Sequence, residues 1–185
     1  RPPRSELRTV DPAGALPLGP GIRFSTLDEL LETLDLGLLN IELKLVAEET
    51  SGPCTPTDRE AMLDVLIPLL ENYDGRAEFI ITSFDLEILK RLRERAPEYR
   101  IGYLSSRAAD VDVAADAGFE AINLSDFVLL TDADTVIANA HARGLELNVW
   151  TVADPERMRT LIAAGVDGII TNRPDVLEEV TAQYC

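Results

Sequence analysis

The chain has 185 residues, of which 46% are hydrophobic, so it is long enough to bury one sizeable core, and one domain over residues 1–185 is expected. Its 33 acidic and 17 basic residues give a formal net charge of -16, which argues against nucleic-acid and anionic-membrane partners, because those partners attract basic patches. No apolar run approaches the roughly 18 residues of a membrane span, and two cysteines are too few for a disulfide scaffold.

The N-terminal part of the chain predicts a loop followed by an amphipathic helix. Pro and Gly are dense over residues 11–21, which favours turns over regular elements. Ser25 then stands three residues before Asp28, a spacing typical of a helix cap, and leucines follow at helical spacing as far as Leu34. We expect the first helix to lie here and to end before Gly37.

A repeating pattern of strand and helix begins after that helix. Residues 38–45 form a short apolar run that predicts a strand, and Thr57 with Glu60 marks the start of a second helix by capping-box spacing. Further strands are predicted over residues 79–82, 101–104, 121–124, 145–151 and 169–171, and further helices over residues 86–95, 111–117, 133–143 and 155–164 and from Pro174 onward.

Strands that alternate with helices favour parallel pairing, because each connection must return the chain to the same end of the sheet. We count about six strands, whereas a TIM (β/α)8-type barrel has eight and typically about 250 residues. We therefore expect an α/β fold of the TIM-barrel type, with six of the eight strands present and the first two strand units missing. The start at Arg1, without an initiator Met, suggests that the residues belong to a longer polypeptide. A doubly wound open sheet would also alternate, but the chain lacks the G-x-G-x-x-G turn of its dinucleotide-binding members.

Two charged side chains in the predicted strand 38–45 are the strongest candidates for a functional site. Side chains alternate between the faces of a strand, so Glu42 and Lys44 point one way while Ile41 and Leu43 point the other. In a barrel the apolar pair would meet the helices, and the charged pair would project toward the C-terminal mouth, where such enzymes place their sites. A metal ion or a phosphate would explain these charges; a buried ion pair that fixes the strand register is the alternative.

The only tryptophan and the only histidine of the chain differ in what their positions indicate. Trp150 lies at the end of the predicted strand 145–151, where it can line a pocket with its indole N–H available to donate, or equally be a core residue. His141 lies near the end of a predicted helix, where attraction to the helix dipole explains it, and on the side of a barrel opposite to the site. A single imidazole also argues against a metal site built from several histidines.

Five segments of the chain carry a more specific signal in combination. They are F-S-T-L-D-E-L-L at residues 24–31, N-I-E-L-K at 40–44, T-S-F-D at 82–85, V-W-T-V at 149–152 and G-V-D-G-I-I-T-N-R-P-D at 165–175. In order and spacing these segments resemble the glycerophosphodiester phosphodiesterases over nearly the whole chain.

This resemblance implies a metal-dependent TIM barrel that hydrolyses glycerophosphodiesters to sn-glycerol 3-phosphate and an alcohol, a reaction of lipid and glycerol metabolism. It implies that Glu42 is a metal ligand, that Lys44 holds the substrate phosphate and that Trp150 lines the glycerol side of the pocket. Glu42 and Lys44 would be the catalytic residues that this chain contributes. Hard oxygen ligands favour Mg²⁺ or Ca²⁺ as the cofactor, and the cation with Lys44 would neutralise a phosphodiester inside an acidic protein.

The chain departs from the family at the residues that transfer protons. Members begin with a histidine-arginine strand, an acidic pair that adds two metal ligands, and a second histidine, and none of these can be placed here. Those histidines are the general acid and base of the family, so we expect the segment alone to be inactive and the intact protein to be the enzyme. Leu45, where the family often has proline, and Asn172, where it often has aspartate, are smaller departures.

An alternative function is a non-catalytic barrel that binds phosphate or serves only as an interaction surface. Two histidines and an acidic pair encoded upstream would distinguish the enzyme from this alternative. The expected partner is a small-molecule glycerophosphodiester, without nucleic acid and without stable membrane insertion, and unpaired strand edges make a homo-oligomer possible. A cytoplasmic location is favoured, with periplasmic and secreted locations left open.

Overall fold

The architecture is an alternation of helices and strands in a computed structural model that describes residues 25–33, 37–44, 55–73 and 78–184. The predicted loop at residues 11–21, and Leu34 and Leu45, lie outside the described residues. The helices are α1 (Leu27–Thr33), α2 (Pro56–Glu71), α3 (Leu86–Arg95), α4 (Asp110–Asp116), α5 (Ala133–Ala142), α6 (Pro155–Ala164) and α7 (Pro174–Thr181). The strands are β1 (Leu38–Glu42), β2 (Glu78–Ser83), β3 (Arg100–Ser105), β4 (Ala121–Ser125), β5 (Glu146–Trp150) and β6 (Gly168–Ile169), and a 3-10 turn (Asp126–Leu129) follows β4.

Helix α2 begins with a capping box two residues earlier than the sequence pattern indicated. The Thr55 hydroxyl accepts a hydrogen bond from the Asp58 N–H (3.3 Å), and the Asp58 carboxylate accepts one from the Thr55 N–H (2.8 Å). Pro56 follows in the first helical turn, where its fixed φ suits the helix and its missing N–H has no cost. The predicted cap at Thr57 and Glu60 was therefore wrong.

Helix α1 shows the same reciprocal bonding, displaced by one residue from the prediction. The Thr26 N–H donates to the Glu29 carboxylate (3.0 Å), and the Glu29 N–H donates to the Thr26 hydroxyl (3.5 Å). The pair Ser25 and Asp28 has the same spacing in the sequence, so the spacing alone did not choose between the two pairs.

The six strands form one parallel sheet in the order β1-β2-β3-β4-β5-β6. Neighbouring strands are consecutive in the chain and a helix connects each pair, which is the arrangement of a parallel β/α barrel wall. Within the described residues β1 and β6 are the outer strands of this sheet. The expected self-association through such edges stays a prediction.

One face of the sheet packs against the helices, and the other is concave. Ile81, Ile101 and Leu147 are fully buried in the apolar core that the sheet shares with the helices. On the other face the rings of Phe84 and Trp150 touch, with centroids 5.3 Å apart, although β3 and β4 lie between their strands. In a flat sheet these strands would be about 14 Å apart, so the sheet curls as part of a barrel does. None of the helices in the described ranges is both long and apolar enough to cross a bilayer.

The close approach of Gly168 in β6 to Asn148 in β5 gives a first testable consequence. A Cβ added at Gly168 would lie 2.3 Å from the Asn148 side-chain oxygen, and Asn148 is held by a hydrogen bond from its amide to Asn123 (2.8 Å). We expect Gly168→Ala to lower the free energy of unfolding by about 1–3 kcal/mol, measured by urea denaturation. Gly37→Ala is the control, because nothing lies within 4 Å of a Cβ added there. Equal stability of both variants would contradict this account.

A second feature of the fold is a carboxylate that binds the start of a neighbouring strand and a basic side chain on a helix, and it occurs twice. Glu120, just before β4, accepts from the Ile101 N–H (2.7 Å) and from Arg93 (2.6 Å). Asp167, just before β6, accepts from the Leu147 N–H (2.7 Å) and lies 2.8 Å from the His141 ring nitrogen. The repeat places His141 in the structural position that Arg93 has two strand-helix units earlier, which explains it better than the helix dipole alone.

We expect the Asp167 carboxylate to matter more for stability than its histidine partner. Asp167→Ala leaves the N–H of the buried residue Leu147 without its acceptor, a loss of about 1–3 kcal/mol in the free energy of unfolding. His141→Ala removes only a half-exposed contact, worth at most about 1 kcal/mol. Urea denaturation of both variants checks this order, with Glu94→Ala on the exposed surface of α3 as a control. A larger loss for His141→Ala than for Asp167→Ala would show that the hydrogen bond to the strand is not the main contact.

Candidate active site

The C-terminal end of β1 presents the predicted charged pair on the concave face. Leu43 is buried and Ile41 packs against the same core, whereas Glu42 and Lys44 are exposed on the opposite face. The predicted division of this strand into a helix-facing and an inward-facing side is therefore confirmed. Because both charged side chains are exposed, a buried ion pair between them does not describe this arrangement.

A turn after β2 fixes the backbone beside Lys44. The Ser83 hydroxyl donates to the Leu43 carbonyl (2.7 Å) and accepts from the Asp85 N–H (3.0 Å), so the end of β1 is tied to the turn. Asp85 caps α3 through two backbone N–H groups and pairs with Arg59 at 2.7 Å. Partial burial works against ionisation of Asp85, but the Arg59 guanidinium and these N–H groups together hold its pKa below the ordinary value. The turn is thus rigidly built around Phe84.

Phe84 and Trp150 form an aromatic pair over the concave face. Their rings meet edge to face, with an interplanar angle of 87°. The indole N–H of Trp150 donates to the Asn123 carbonyl (2.9 Å). We had expected this N–H to be available to donate in a pocket, but the hydrogen bond to Asn123 occupies it. Phe84 keeps half of its surface exposed, and the β1–β2 register places it beside Lys44. Phe84 therefore occupies the sheet position next to Lys44.

Below the aromatic pair the concave face carries buried polar side chains beside the branched apolar residues Ile80 and Leu104. The Thr82 hydroxyl donates to the Asn40 side chain (2.8 Å), and the Asn148 amide donates to the Asn123 side chain (2.8 Å). Thr82 and Asn123 are almost fully buried. Barrel interiors are usually packed with Val, Ile and Leu, so the hydrogen-bonded polar side chains replace part of that packing here.

Lys44 also differs from most of the described cations in having no carboxylate partner among the described residues. Within the described ranges every other Lys or Arg except Arg107 lies within salt-bridge distance of an acidic side chain. Lys44 and Arg107 are both exposed and follow the C-terminal ends of β1 and β3. In a protein of net charge -16, cations at strand ends that make no ion pair with any described residue are suited to bind an anion.

Glu42 is a suitable hard-oxygen ligand, but the described residues do not complete a metal site around it. In that part of the chain no three His, Cys, Asp or Glu side chains are grouped closely enough to hold a metal ion. Mg²⁺ and Ca²⁺ need about six or more oxygen ligands, so one carboxylate does not fix either ion. His141 contributes nothing here, because it binds Asp167 at the opposite end of the strands.

Known proteins resemble this chain in sequence over most of its length. Residues 3–176 match the Glycerophosphoryl diester phosphodiesterase family. The chain belongs to this family. A glycerophosphodiester phosphodiesterase of Caldanaerobacter subterraneus is 31% identical over 160 residues, which are 85% of this chain and 61% of the relative. A glycerophosphocholine phosphodiesterase of Homo sapiens is 26% identical over 174 residues, which are 81% of this chain and 26% of the relative.

Solved structures of glycerophosphodiester phosphodiesterases share the fold. A family protein from Silicibacter pomeroyi has a TM-score of 0.74 at 26% identity and covers 89% of this chain, which spans 58% of that structure. An Oleispira antarctica phosphodiesterase, solved with the product sn-glycerol-3-phosphate, has a TM-score of 0.71 at 19% identity, over 84% of this chain and 60% of that structure. The TIM-barrel fold class is thereby confirmed, and the chain spans less than two thirds of the relatives described here.

The structure brings together three residues that the family resemblance selected and adds others that the sequence did not indicate. Glu42, Lys44 and Trp150 all lie toward the C-terminal ends of strands on the concave face. Their roles as ligand, phosphate anchor and pocket wall stay predictions. Phe84 was part of the T-S-F-D segment, but only its contact with Trp150 shows that it lies at the site. The alternation of Asn148 with Trp150 along β5 was the available signal for the polar layer.

Proposed function

We propose that the protein containing this chain hydrolyses glycerophosphodiesters to sn-glycerol 3-phosphate and an alcohol. In this reaction the oxygen of water forms a bond to phosphorus, the bond from phosphorus to the alcohol oxygen breaks, and the alcohol leaves with a proton. The observation that carries the proposal is an exposed lysine, with no ion pair to any described residue, on the same strand face as a carboxylate at the C-terminal mouth of a family barrel. The product bound to the Oleispira antarctica phosphodiesterase supports the same reaction.

In this proposal Lys44 binds a non-bridging phosphate oxygen. A phosphodiester carries one negative charge, and more charge develops on its oxygens as the water attacks. A fixed ammonium interacts more strongly with the transition state than with the substrate, which lowers the barrier. The Ser83 bond to the neighbouring Leu43 carbonyl supports this role, since it holds the backbone from which Lys44 extends.

Glu42 is proposed as one ligand of a divalent cation, Mg²⁺ or Ca²⁺, whose remaining ligands lie outside the described residues. A bound cation supplies Lewis-acid stabilisation of phosphate charge. The exposed position of the carboxylate on the concave face supports this role, and its hard oxygens suit these ions. Trp150 is proposed to line the glycerol side of the pocket, held by its bond to the Asn123 carbonyl.

Turnover of glycerophosphodiesters by the full-length gene product tests the proposal. Phosphorus NMR distinguishes the diester substrate from the monoester product, so we expect sn-glycerol 3-phosphate to accumulate from glycerophosphocholine or glycerophosphoethanolamine with Mg²⁺ or Ca²⁺. Chelation of the cation should stop the reaction. If neither substrate gives product with Mg²⁺ or with Ca²⁺, the proposed activity is contradicted.

The rival function is a barrel that binds phosphate without hydrolysing the diester. The absence of a three-residue metal-binding cluster in the described part of the chain favours it. Calorimetry with sn-glycerol 3-phosphate separates the two possibilities: binding of this monoester without turnover of any diester would support the rival.

A further inference from the structure

Asn123 in β4 carries a buried hydrogen-bond donor without a partner among the described residues. The side chain is only 1% exposed on the concave face, and its oxygen accepts from the Asn148 amide (2.8 Å). Its own amide nitrogen makes no hydrogen bond to any described residue. Turning both amides over would leave the Asn123 oxygen unpaired instead, so one polar atom of this side chain stays unsatisfied in either orientation. A buried polar group in this state lowers stability.

Two glycines leave the space that these two amides fill. A Cβ added at Gly102 in β3 would lie 3.3 Å from the Asn123 amide nitrogen, and one added at Gly168 in β6 would lie 2.3 Å from the Asn148 side-chain oxygen. Asn123 and Asn148 therefore form an amide row that crosses from β3 to β6 above main chain without side chains. A methyl group at either end would press against the row.

The amide row is bonded to the aromatic pair of the candidate site. Asn123 and Asn148 are direct partners in the β4–β5 register, and Trp150 follows Asn148 by two residues on the same face of β5. The indole N–H of Trp150 donates to the main-chain carbonyl of Asn123 (2.9 Å). Asn123 thus holds the concave side of β5 at two points, and the indole at the second point meets Phe84 with ring centroids 5.3 Å apart.

Stability alone does not explain an amide at this position. Leucine has nearly the same shape as asparagine, has no donor to leave unpaired and is common inside barrels. Leu104, the partner of Asn123 in the neighbouring strand β3, shows that the same level of the sheet buries a leucine. A buried polar group that is kept at a cost in stability points to a role in function.

We propose that Asn123 is a positioning residue that sets Trp150 against Phe84 and so fixes the aromatic side of the pocket. It acts through Asn148 and through its own carbonyl and does not touch the substrate, since its side chain is almost fully buried. This inference rests on the proposed diester hydrolysis, in which Trp150 lines the pocket. Loss of the bond between the two amides would release one of the two points that hold β5 and let the indole move away from Phe84.

The test replaces Asn123 by leucine in the full-length gene product and follows three quantities. Acrylamide quenching of Trp150, isolated as the difference from a Trp150→Phe variant, should increase because the indole is held less firmly. We expect kcat/KM for glycerophosphocholine to fall about tenfold or more, since a small misplacement of a group at the site costs up to about 10²-fold. The urea midpoint should stay the same or rise, because the unpaired donor is removed.

Asn148→Leu breaks the same bond from its partly exposed side and provides a second variant. Because both replacements remove one shared interaction, the double variant should lose about as much kcat/KM as either single variant. Asn40→Leu is the control. It removes the amide that accepts from Thr82, on the same concave face but without a hydrogen bond to the aromatic pair, and should leave the quenching of Trp150 unchanged.

Wild-type quenching and kcat/KM in Asn123→Leu would overturn the proposal, and so would losses that add in the double variant. A lower urea midpoint with wild-type quenching would assign the amide to stability alone and overturn it too. If Asn123→Leu does not fold, Asn148→Leu decides by the same criteria. If the wild-type protein hydrolyses no glycerophosphodiester, the proposed activity fails and quenching alone decides: an increase in both single variants that the double variant does not exceed supports the role of Asn123, and wild-type quenching overturns it.

Discussion

Replacement of Lys44 by methionine is expected to lower kcat/KM for glycerophosphodiester hydrolysis by about 10²- to 10³-fold, the usual cost of removing one group that stabilises transition-state charge. Methionine keeps the apolar stem and removes the ammonium. Lys44 is exposed and has no ion pair among the described residues, so the free energy of unfolding should change by less than about 0.5 kcal/mol. Steady-state kinetics and urea denaturation of the same preparation measure both quantities.

Lys90→Met is the matched control for this variant. Lys90 is an exposed lysine on α3 that pairs with Glu87 at 3.0 Å, away from the concave face. Its replacement should leave kcat/KM unchanged. Wild-type kcat/KM in the Lys44 variant would exclude that residue as the phosphate anchor, and an equal loss in both variants would point to a general effect of net charge.

Replacement of Glu42 by glutamine is expected to raise the divalent cation concentration that gives half-maximal activity. Glutamine keeps the shape of the side chain but removes the anionic ligand, and loss even of supporting groups around a metal costs about 10- to 100-fold in affinity. We expect an increase of at least about that size for Mg²⁺ or Ca²⁺. Activity measured across a titration of each cation provides the comparison.

Glu78→Gln serves as the control for the Glu42 variant. Glu78 is an exposed carboxylate at the first residue of β2, at the opposite end of the same sheet from Lys44. Its replacement should not alter the cation requirement. A Glu42 variant with a wild-type cation requirement would show that this carboxylate does not bind the metal.

Local patterns in the sequence were sufficient to predict the order of elements and the inward-facing side of β1. The helices Leu86–Arg95 and Pro155–Ala164 have the predicted bounds, because each combines a clear helical period with a defined start. The two-residue alternation around Glu42 also predicted correctly which face it shares with Lys44. Caps were less certain, since Thr55 and Thr57 both stand three residues before an acidic side chain.

Contacts between distant residues could not be predicted from such patterns. Phe84 and Trp150 meet only because the sheet curls, and curvature is a property of the assembled strands. Asp167 lies 26 residues from His141, and its role becomes clear only beside the equivalent pair of Glu120 and Arg93. The 3-10 turn at Phe127 was missed because a run of four residues is too short to show a period.

The central claim is that Glu42 and Lys44 bind a cation and a phosphate side by side, and a crystal structure of the full-length gene product with sn-glycerol 3-phosphate and Ca²⁺ tests it most directly. We predict Ca²⁺ at about 2.3–2.6 Å from a Glu42 oxygen and a phosphate oxygen at about 2.7–2.9 Å from the Lys44 ammonium. Phosphate and cation bound elsewhere on the protein, with both side chains in contact only with water, would contradict the claim.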